Sequence, residues 1–156
     1  MDAMQFALLL GFKLNESKVI KIGKNYYYAD ESLKELRSKI NRDVFSVGLY
    51  LGHDSGKHFD PSPAFIDMLS KMNGADNLKI FVNKKAESLF LYGRNILNES
   101  ILRNPKNINS GYVFVQNEHD ENLGYGIFQK QGKDLIVKNL LDKGYYLRKE
   151  TKKKKV

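Results

Sequence analysis

The stretch GYVFVQNEHDENLGYGIF, residues 111–128, decides the fold class of the second half of the chain. Tyr112 to Gln116 and Leu123 to Phe128 are two short runs rich in apolar and aromatic residues, which favour β-strands. The hydrophilic segment between the two runs predicts a turn, so together they form a hairpin. Gly124 and Gly126 within the second run indicate that this strand bends or that another backbone approaches it closely.

Outward from this hairpin, the sequence predicts further short elements. Strands are expected at 78–82 and 135–141, a helix at 86–92 that ends at Gly93, and a last apolar segment at 145–147. Several short strands at close spacing, with one or two short helices, are typical of a small mixed barrel. Residues 75–156 are therefore predicted to form such a barrel.

The first half has a different pattern, in which helices and strands alternate. Asp30 is a candidate N-cap for an amphipathic helix with apolar residues at Leu33, Leu36 and Ile40. The other expected elements are a helix to Leu10 with Gly11 as its stop, strands at 18–22, 25–28 and 44–51, a loop at 52–63, and a helix from Ser62 to Asn73. Residues 1–74 are thus predicted as a small α+β domain with an antiparallel sheet.

The composition excludes several classes of function. The chain has 156 residues and no cysteine, so a thiolate zinc site, an iron–sulfur cluster and a cysteine nucleophile are excluded. Its longest apolar run, Phe6 to Leu10, is far shorter than the ~20 residues of a membrane span. We expect no cofactor, no metal, no small-molecule substrate and no membrane partner.

Positive charge is concentrated at the C-terminal end. Residues 1–74 hold 10 Lys+Arg and 9 Asp+Glu, net +1, whereas the remainder holds 16 and 9, net +7. Most of this excess lies in Arg148, Lys149 and the run Lys152 to Lys155. Such a segment attracts polyanions, most commonly nucleic acid, and the alternative is a solvated tail that aids solubility.

Two other motifs carry weaker signals. The segment 52–60 holds His53 and His58 with two aspartates and a serine, but their spacing in a glycine-rich segment matches neither a helical zinc motif nor a nucleophile elbow. An ordinary polar surface loop is the preferred interpretation. Neither Gly124-Tyr125-Gly126 nor Gly52 to Lys57 has the spacing of a nucleotide-binding loop.

Aromatic residues beside the basic cluster suggest contact with RNA. Tyr145 and Tyr146 precede Leu147-Arg148-Lys149, and alternation along a strand would direct one ring inward and the other outward beside the cations. Aromatic faces stack on unpaired bases while cations hold phosphates. These tyrosines are therefore candidate stacking residues.

Several segments together resemble a PUA domain, a small RNA-binding pseudo-barrel. They are 79–87, Phe90 to Leu97, Gly111 to Asn117 and Leu123 to Gly126. Phe90-Leu91-Tyr92-Gly93 and Lys138 to Arg148 are similar, more narrowly, to the NIP-seven family of large-subunit ribosome biogenesis factors. Tyr27 to Glu31 and Ser46 to Gly52 fit the N-terminal domain of that family.

This resemblance implies a two-domain, non-catalytic factor that acts in pre-rRNA processing and assembly of the large ribosomal subunit. Its PUA domain is expected to bind single-stranded, uridine-rich RNA through Arg148, Lys149, Lys152 and Lys155. The N-terminal domain is expected to contact ribosome-assembly proteins. The location would be cytoplasmic for an archaeal protein and nucleolar or nuclear for a eukaryotic one.

The alternative is an RNA-modifying enzyme, or its accessory subunit, whose PUA domain presents the RNA substrate. A first domain of about 74 residues is small for a catalytic domain with its own cofactor pocket, and the motifs of such a site are missing from the sequence. The non-catalytic interpretation is therefore preferred.

Overall fold

The computed structural model describes residues 1–105, 108 and 110–153, and the chain divides into two compact units, Met1–Leu69 and Ser70–Val156. The first unit contains one four-stranded antiparallel sheet in the order β1-β2-β3-β4, with three helices. Its elements are α1 (Ala3–Leu9), β1 (Val19–Ile22), β2 (Asn25–Tyr28), α2 (Glu31–Lys39), β3 (Leu49–Asp54), β4 (Phe59–Pro61) and α3 (Pro63–Ser70).

Local signals position the helices of the first unit. The side chain of Asp2 accepts a hydrogen bond from the Gln5 amide and caps α1. The predicted cap of α2 is confirmed, since Asp30 accepts from the Leu33 amide, and this bond lowers the pKa of Asp30. The aromatic residues Phe6, Tyr26, Phe59 and Phe65 form the core of this unit, with the Phe6 and Phe59 ring centroids 5.5 Å apart.

Two predictions for the first unit are wrong. The strand expected at 44–51 begins only at Leu49, because Gly48, at φ +67°, turns the chain into β3 beside the Tyr28 carbonyl. The expected loop 52–63 is instead mostly a hairpin of β3 and β4. Gly52 permits this pairing, since a Cβ there would overlap the Asp60 carbonyl oxygen across the pair.

The second unit contains a six-stranded, nearly closed barrel-like sheet in the order β6-β10-β9-β8-β5-β7. Only the β5–β8 pair is parallel among the described strands. Its elements are β5 (Lys79–Val82), α4 (Lys84–Leu91), β6 (Ile96–Leu97), β7 (Ile101–Arg103), β8 (Ser110–Gln116), β9 (Asn122–Gln131), β10 (Asp134–Asp142) and α5 (Tyr145–Lys153). The predicted α+β class and mixed barrel are confirmed.

Strand alternation builds the core of the barrel. Ile80 and Val82 of β5 pack with Val113 and Val115 of β8, and Phe90 of α4 packs against the same cluster. The predicted role of the β9 glycines is confirmed, because a Cβ at Gly124 or Gly126 would overlap a carbonyl oxygen of β10. This close approach brings the end of β10, where α5 begins, against the start of β9.

Candidate nucleic-acid interface

The segment from Tyr145 onward forms a helix, so the predicted alternation of Tyr145 and Tyr146 on a strand is wrong. The chain turns at Gly144, where a Cβ would overlap the Leu91 carbonyl oxygen, and the Arg148 amide then donates to the Gly144 carbonyl in the first turn of the helix. An apolar run of three residues is too short for its periodicity to distinguish strand from helix. Both tyrosine rings are exposed, with their centroids 5.5 Å apart in an edge-to-face arrangement.

Arg148 fixes α5 to the barrel. Its Nη1 and Nη2 atoms donate to the two carboxylate oxygens of Asp142, each at 2.8 Å, and Nη1 also donates to the Leu91 carbonyl. The Asp142 side chain is only 2% exposed, and the Arg148 side chain is 32% exposed. The hydrogen bonds that Arg148 donates to the Asp142 carboxylate raise the pKa of Arg148, so the guanidinium stays charged. Its charge is therefore neutralised within the fold, and the ion pair orients the helix.

The other predicted cations differ in position. Lys149 is exposed on α5, and its Nζ lies 5.4 Å from the centroid of the Tyr145 ring. The backbone of Lys152 belongs to α5, whereas its side chain lies outside the described part of the structure, and Lys155 lies wholly outside the described residues. The structure thus brings Tyr145, Tyr146 and Lys149 together on one helix.

Tyr92 is a candidate site residue that the sequence analysis missed. It follows α4 directly and is 74% exposed. The next residue, Gly93, lies against Arg148, since a Cβ there would be 3.2 Å from Nη2. The sequence contains a signal for this residue. Gly93 marks the end of a helix, and a tyrosine directly before such a glycine lies beyond the apolar face of the helix, so its ring is expected to be exposed. We define the α5 surface as Tyr92, Tyr145, Tyr146 and Lys149.

Polar side chains hold α4 and β10 together beneath this surface. Asn139 Nδ2 donates to the Phe90 carbonyl at 2.8 Å and to Asp142 Oδ2 at 3.2 Å. Asn95 Oδ1 accepts a hydrogen bond from the backbone N–H of Asn139 at 3.0 Å. The elements that carry the α5 surface are therefore fixed to each other, and its tyrosines and Lys149 are all exposed. Such an arrangement can stack unpaired bases and hold a phosphate backbone.

The histidine segment forms a separate cluster in the first unit. Asp60 on β4 contacts His53 Nε2 at 3.2 Å and His58 Nε2 at 2.8 Å. The three side chains are between 42% and 63% exposed. Within the described part of the chain, no group of three or more His, Cys, Asp or Glu side chains has the arrangement to hold a metal ion. Nor is any helix there long and apolar enough to span a membrane.

The barrel, its glycine contacts and the C-terminal helix define the class of the second unit, and comparison with known proteins identifies it. Residues 78–151 match the UPF0113 PUA domain, so the predicted PUA domain is confirmed. PUA domains typically bind RNA.

Archaeal relatives extend the similarity beyond the barrel. A UPF0113 protein of Aeropyrum pernix is 29% identical over 150 residues, covering 92% of this chain and 83% of the relative. A UPF0113 protein of Archaeoglobus fulgidus is 37% identical over 78 residues, 45% of each chain. The crystal structure of a hypothetical protein from Pyrococcus horikoshii OT3 is similar with a TM-score of 0.45 and 15% identity, over 83% of this chain and 77% of that one.

Proposed function

We propose that this protein is a non-catalytic RNA-binding factor of large-ribosomal-subunit biogenesis and pre-rRNA processing, and that it binds single-stranded RNA through the α5 surface. The observation that carries the proposal is the exposure of Tyr145, Tyr146 and Lys149 on one helix of a PUA domain, with the exposed Tyr92 next to Leu91, whose carbonyl binds Arg148 of that helix. The ribosomal role rests on the resemblance of 90–93 and 138–148 to the NIP-seven family. The archaeal relatives favour a cytoplasmic location.

Each group of the α5 surface has a distinct role in this proposal. The rings of Tyr92, Tyr145 and Tyr146 stack on unpaired bases, and Lys149 holds a phosphate. Lys152 and Lys155 add salt-dependent attraction with little base selectivity. For Arg148, the paired guanidinium favours a positioning role over a direct phosphate contact, because its two terminal nitrogens already bind Asp142.

The partners follow from the same resemblance. The RNA is expected to be pre-rRNA with uridine-rich single-stranded segments, and the first unit is expected to contact ribosome-assembly proteins. Uracil and cytosine are similar in size and stack on a tyrosine ring in a similar way. A preference for uridine therefore requires hydrogen bonds to the edge of its base as well as stacking.

Fluorescence anisotropy on ten-nucleotide U, A and C RNAs, each over a salt series, tests the proposal. We expect the protein to bind and to prefer the uridine RNA. Lys149→Gln should reduce the salt slope by about 0.7 for one lost phosphate contact, and the Tyr145→Leu, Tyr146→Leu double variant should weaken binding at least about thirtyfold.

The matched control is Lys133→Gln, an exposed cation in the β9–β10 turn, which should bind as the unaltered protein does. If the α5 variants are indistinguishable from this control, the site is wrong. If the unaltered protein binds none of the RNAs, the proposed function is wrong.

A further inference from the structure

The second unit contains a cavity that the α5 surface does not include. Its volume is about 960 Å³, and its lining includes residues of β5, the end of β7 and the β8–β9 turn. Ligand sites in proteins usually have volumes of about 300–1,000 Å³ and a small number of placed polar groups. The groups that determine its chemistry are Asn77, Lys79, Phe81, Arg103, Asn104 and Asp120.

The charged groups on one side of the cavity are already paired. Lys79 is only 8% exposed, and its Nζ donates to Asp76 Oδ1 at 2.8 Å and to Asp120 Oδ2 at 3.1 Å. Burial alone would lower the pKa of Lys79, but the two carboxylates outweigh it and raise the pKa above its usual value. Together with Arg103, this side of the cavity carries two cations and two anions. A phosphate therefore finds no net attraction here.

Arg103 provides a flat surface in the same cavity. Its guanidinium carbon lies 3.8 Å from the centroid of the Phe81 ring, and the two residues are register partners across β5 and β7. Phe81 is buried and Arg103 is exposed, so the ring holds one face of the guanidinium plane. A guanidinium supported in this way can stack a second planar group on its other face.

Two side-chain amides of the same cavity can form hydrogen bonds with the edge of such a planar group. Asn77 and Asn104 both line the cavity and are exposed. Each amide offers two N–H donors and a carbonyl acceptor, which match the donor and acceptor pattern of a nucleobase edge. A neutral, planar, hydrogen-bonding ligand thus fits the cavity better than an anion does.

The strand register places the cavity at the same end of the sheet as α5. Asp142 at the end of β10 pairs with Gly124, Gly124 pairs with Val115, and Val115 pairs with Ile80, the neighbour of Phe81. Phe81 in turn pairs with Arg103 of β7, so four steps between neighbouring strands, about 19 Å along the sheet, separate Arg103 from the end of β10. An RNA strand bound at α5 can therefore reach the cavity within a few nucleotides.

We propose that this cavity takes one unpaired nucleobase of the RNA bound at the α5 surface, with the base stacked on the guanidinium of Arg103. The inference rests on the proposed function and adds a second RNA contact to it. In this contact the cavity binds a nucleobase and makes no contact with a phosphate.

The test uses Arg103→Lys, which keeps the charge and removes the plane. In anisotropy titrations with a ten-nucleotide uridine RNA, we expect Kd to rise about five- to tenfold with an unchanged salt slope. A set of the same RNA with one abasic nucleotide at each position should contain a position where loss of the base weakens binding to the unaltered protein. For the Arg103→Lys variant, loss of the base at that same position should leave Kd unchanged.

Controls separate this inference from the proposed function. Lys133→Arg should leave both Kd and the abasic profile unchanged, and the urea midpoint of Arg103→Lys should confirm that the variant is folded. If Arg103→Lys binds with the affinity and abasic profile of the unaltered protein while the α5 variants weaken binding, the base site is wrong and the proposed function stands. If no RNA binds the unaltered protein, both are overturned.

Discussion

Each unit contains a cluster of charged or titratable side chains around an aspartate, Asp60 in the first and Asp142 in the second. The two clusters differ in burial, and therefore in how much each is expected to contribute to stability. Asp60 lies in a segment crowded with histidines, whereas Asp142 precedes an ordinary turn and its partner, Arg148, belongs to a basic run. In the structure, Asp60 and its two histidines are partly exposed, but Asp142 is buried with a bidentate guanidinium. Exposed ion pairs contribute little to the free energy of unfolding, whereas breaking a buried pair lowers it substantially. We therefore expect Asp142 and Arg148 to contribute more to stability than Asp60 and its histidines.

Arg148→Met tests this comparison with the largest expected effect. The substitution leaves the buried Asp142 carboxylate without its cation, and we expect the free energy of unfolding to fall by about 3 kcal/mol. Urea denaturation followed by circular dichroism measures the change. Lys149→Met is the control from the next position, with a change within about 0.5 kcal/mol. Equal losses in the two variants would show that the pair does not hold α5.

Arg148→Lys sharpens the distinction between a positioning residue and a phosphate ligand. A lysine keeps the charge but cannot make the two parallel hydrogen bonds to Asp142, so we expect a loss of about 1.5 kcal/mol in unfolding free energy. The RNA salt slope of the folded variant should be unchanged. A variant with full stability and altered RNA binding would assign Arg148 to the phosphate backbone.

The exposed cluster should respond much less. Asp60→Asn removes the charge that His53 and His58 contact, and we expect the unfolding free energy to change by less than about 1 kcal/mol. The same urea experiment measures it. A loss as large as that of Arg148→Met would reverse the comparison and give the histidine hairpin a structural role.

The smallest effect concerns acid stability. Hydrogen bonds from Gln116 and then Lys79 lower the pKa of Asp120. Its contribution is therefore complete above the unfolded-state pKa of about 3.9 and is lost as pH falls through the lower folded-state pKa. Asp120→Asn should be less stable than the unaltered protein at pH 7, and the difference should shrink below pH ~4. Urea midpoints at pH 7 and in acid measure it; a constant difference contradicts the assignment.

Local chemistry allowed most elements to be predicted. The cap at Asp30, the close approach at Gly124 and the strands β8 and β9 all depend on a few neighbouring residues, and the structure contains each of them. The helical spacing of Leu33, Leu36 and Ile40 also predicted α2 correctly. All three side chains are nevertheless exposed, because periodicity identifies a helix without showing what its apolar face contacts.

The site was less predictable because it depends on contacts between distant segments. The partners of Arg148 are Asp142 and the Leu91 carbonyl, and no local pattern connects position 91 with 148. The same contacts bring Tyr92 beside α5, which explains why it was missed. Tyr145, Tyr146 and Lys149 are all exposed on one helix, whereas the expected strand would have directed one of the two rings inward.

The position of Arg148 along the chain separates the strands of the second unit from the ion pair that fixes their last residue. All ten strands described here precede residue 143, yet the carboxylate at the end of the last strand gains its guanidinium partner only when residue 148 has been added. The first unit, complete by residue 69, has no such dependence on Arg148. A chain cut after Gly144 would therefore retain every strand described in the second unit and leave the buried Asp142 carboxylate without its guanidinium.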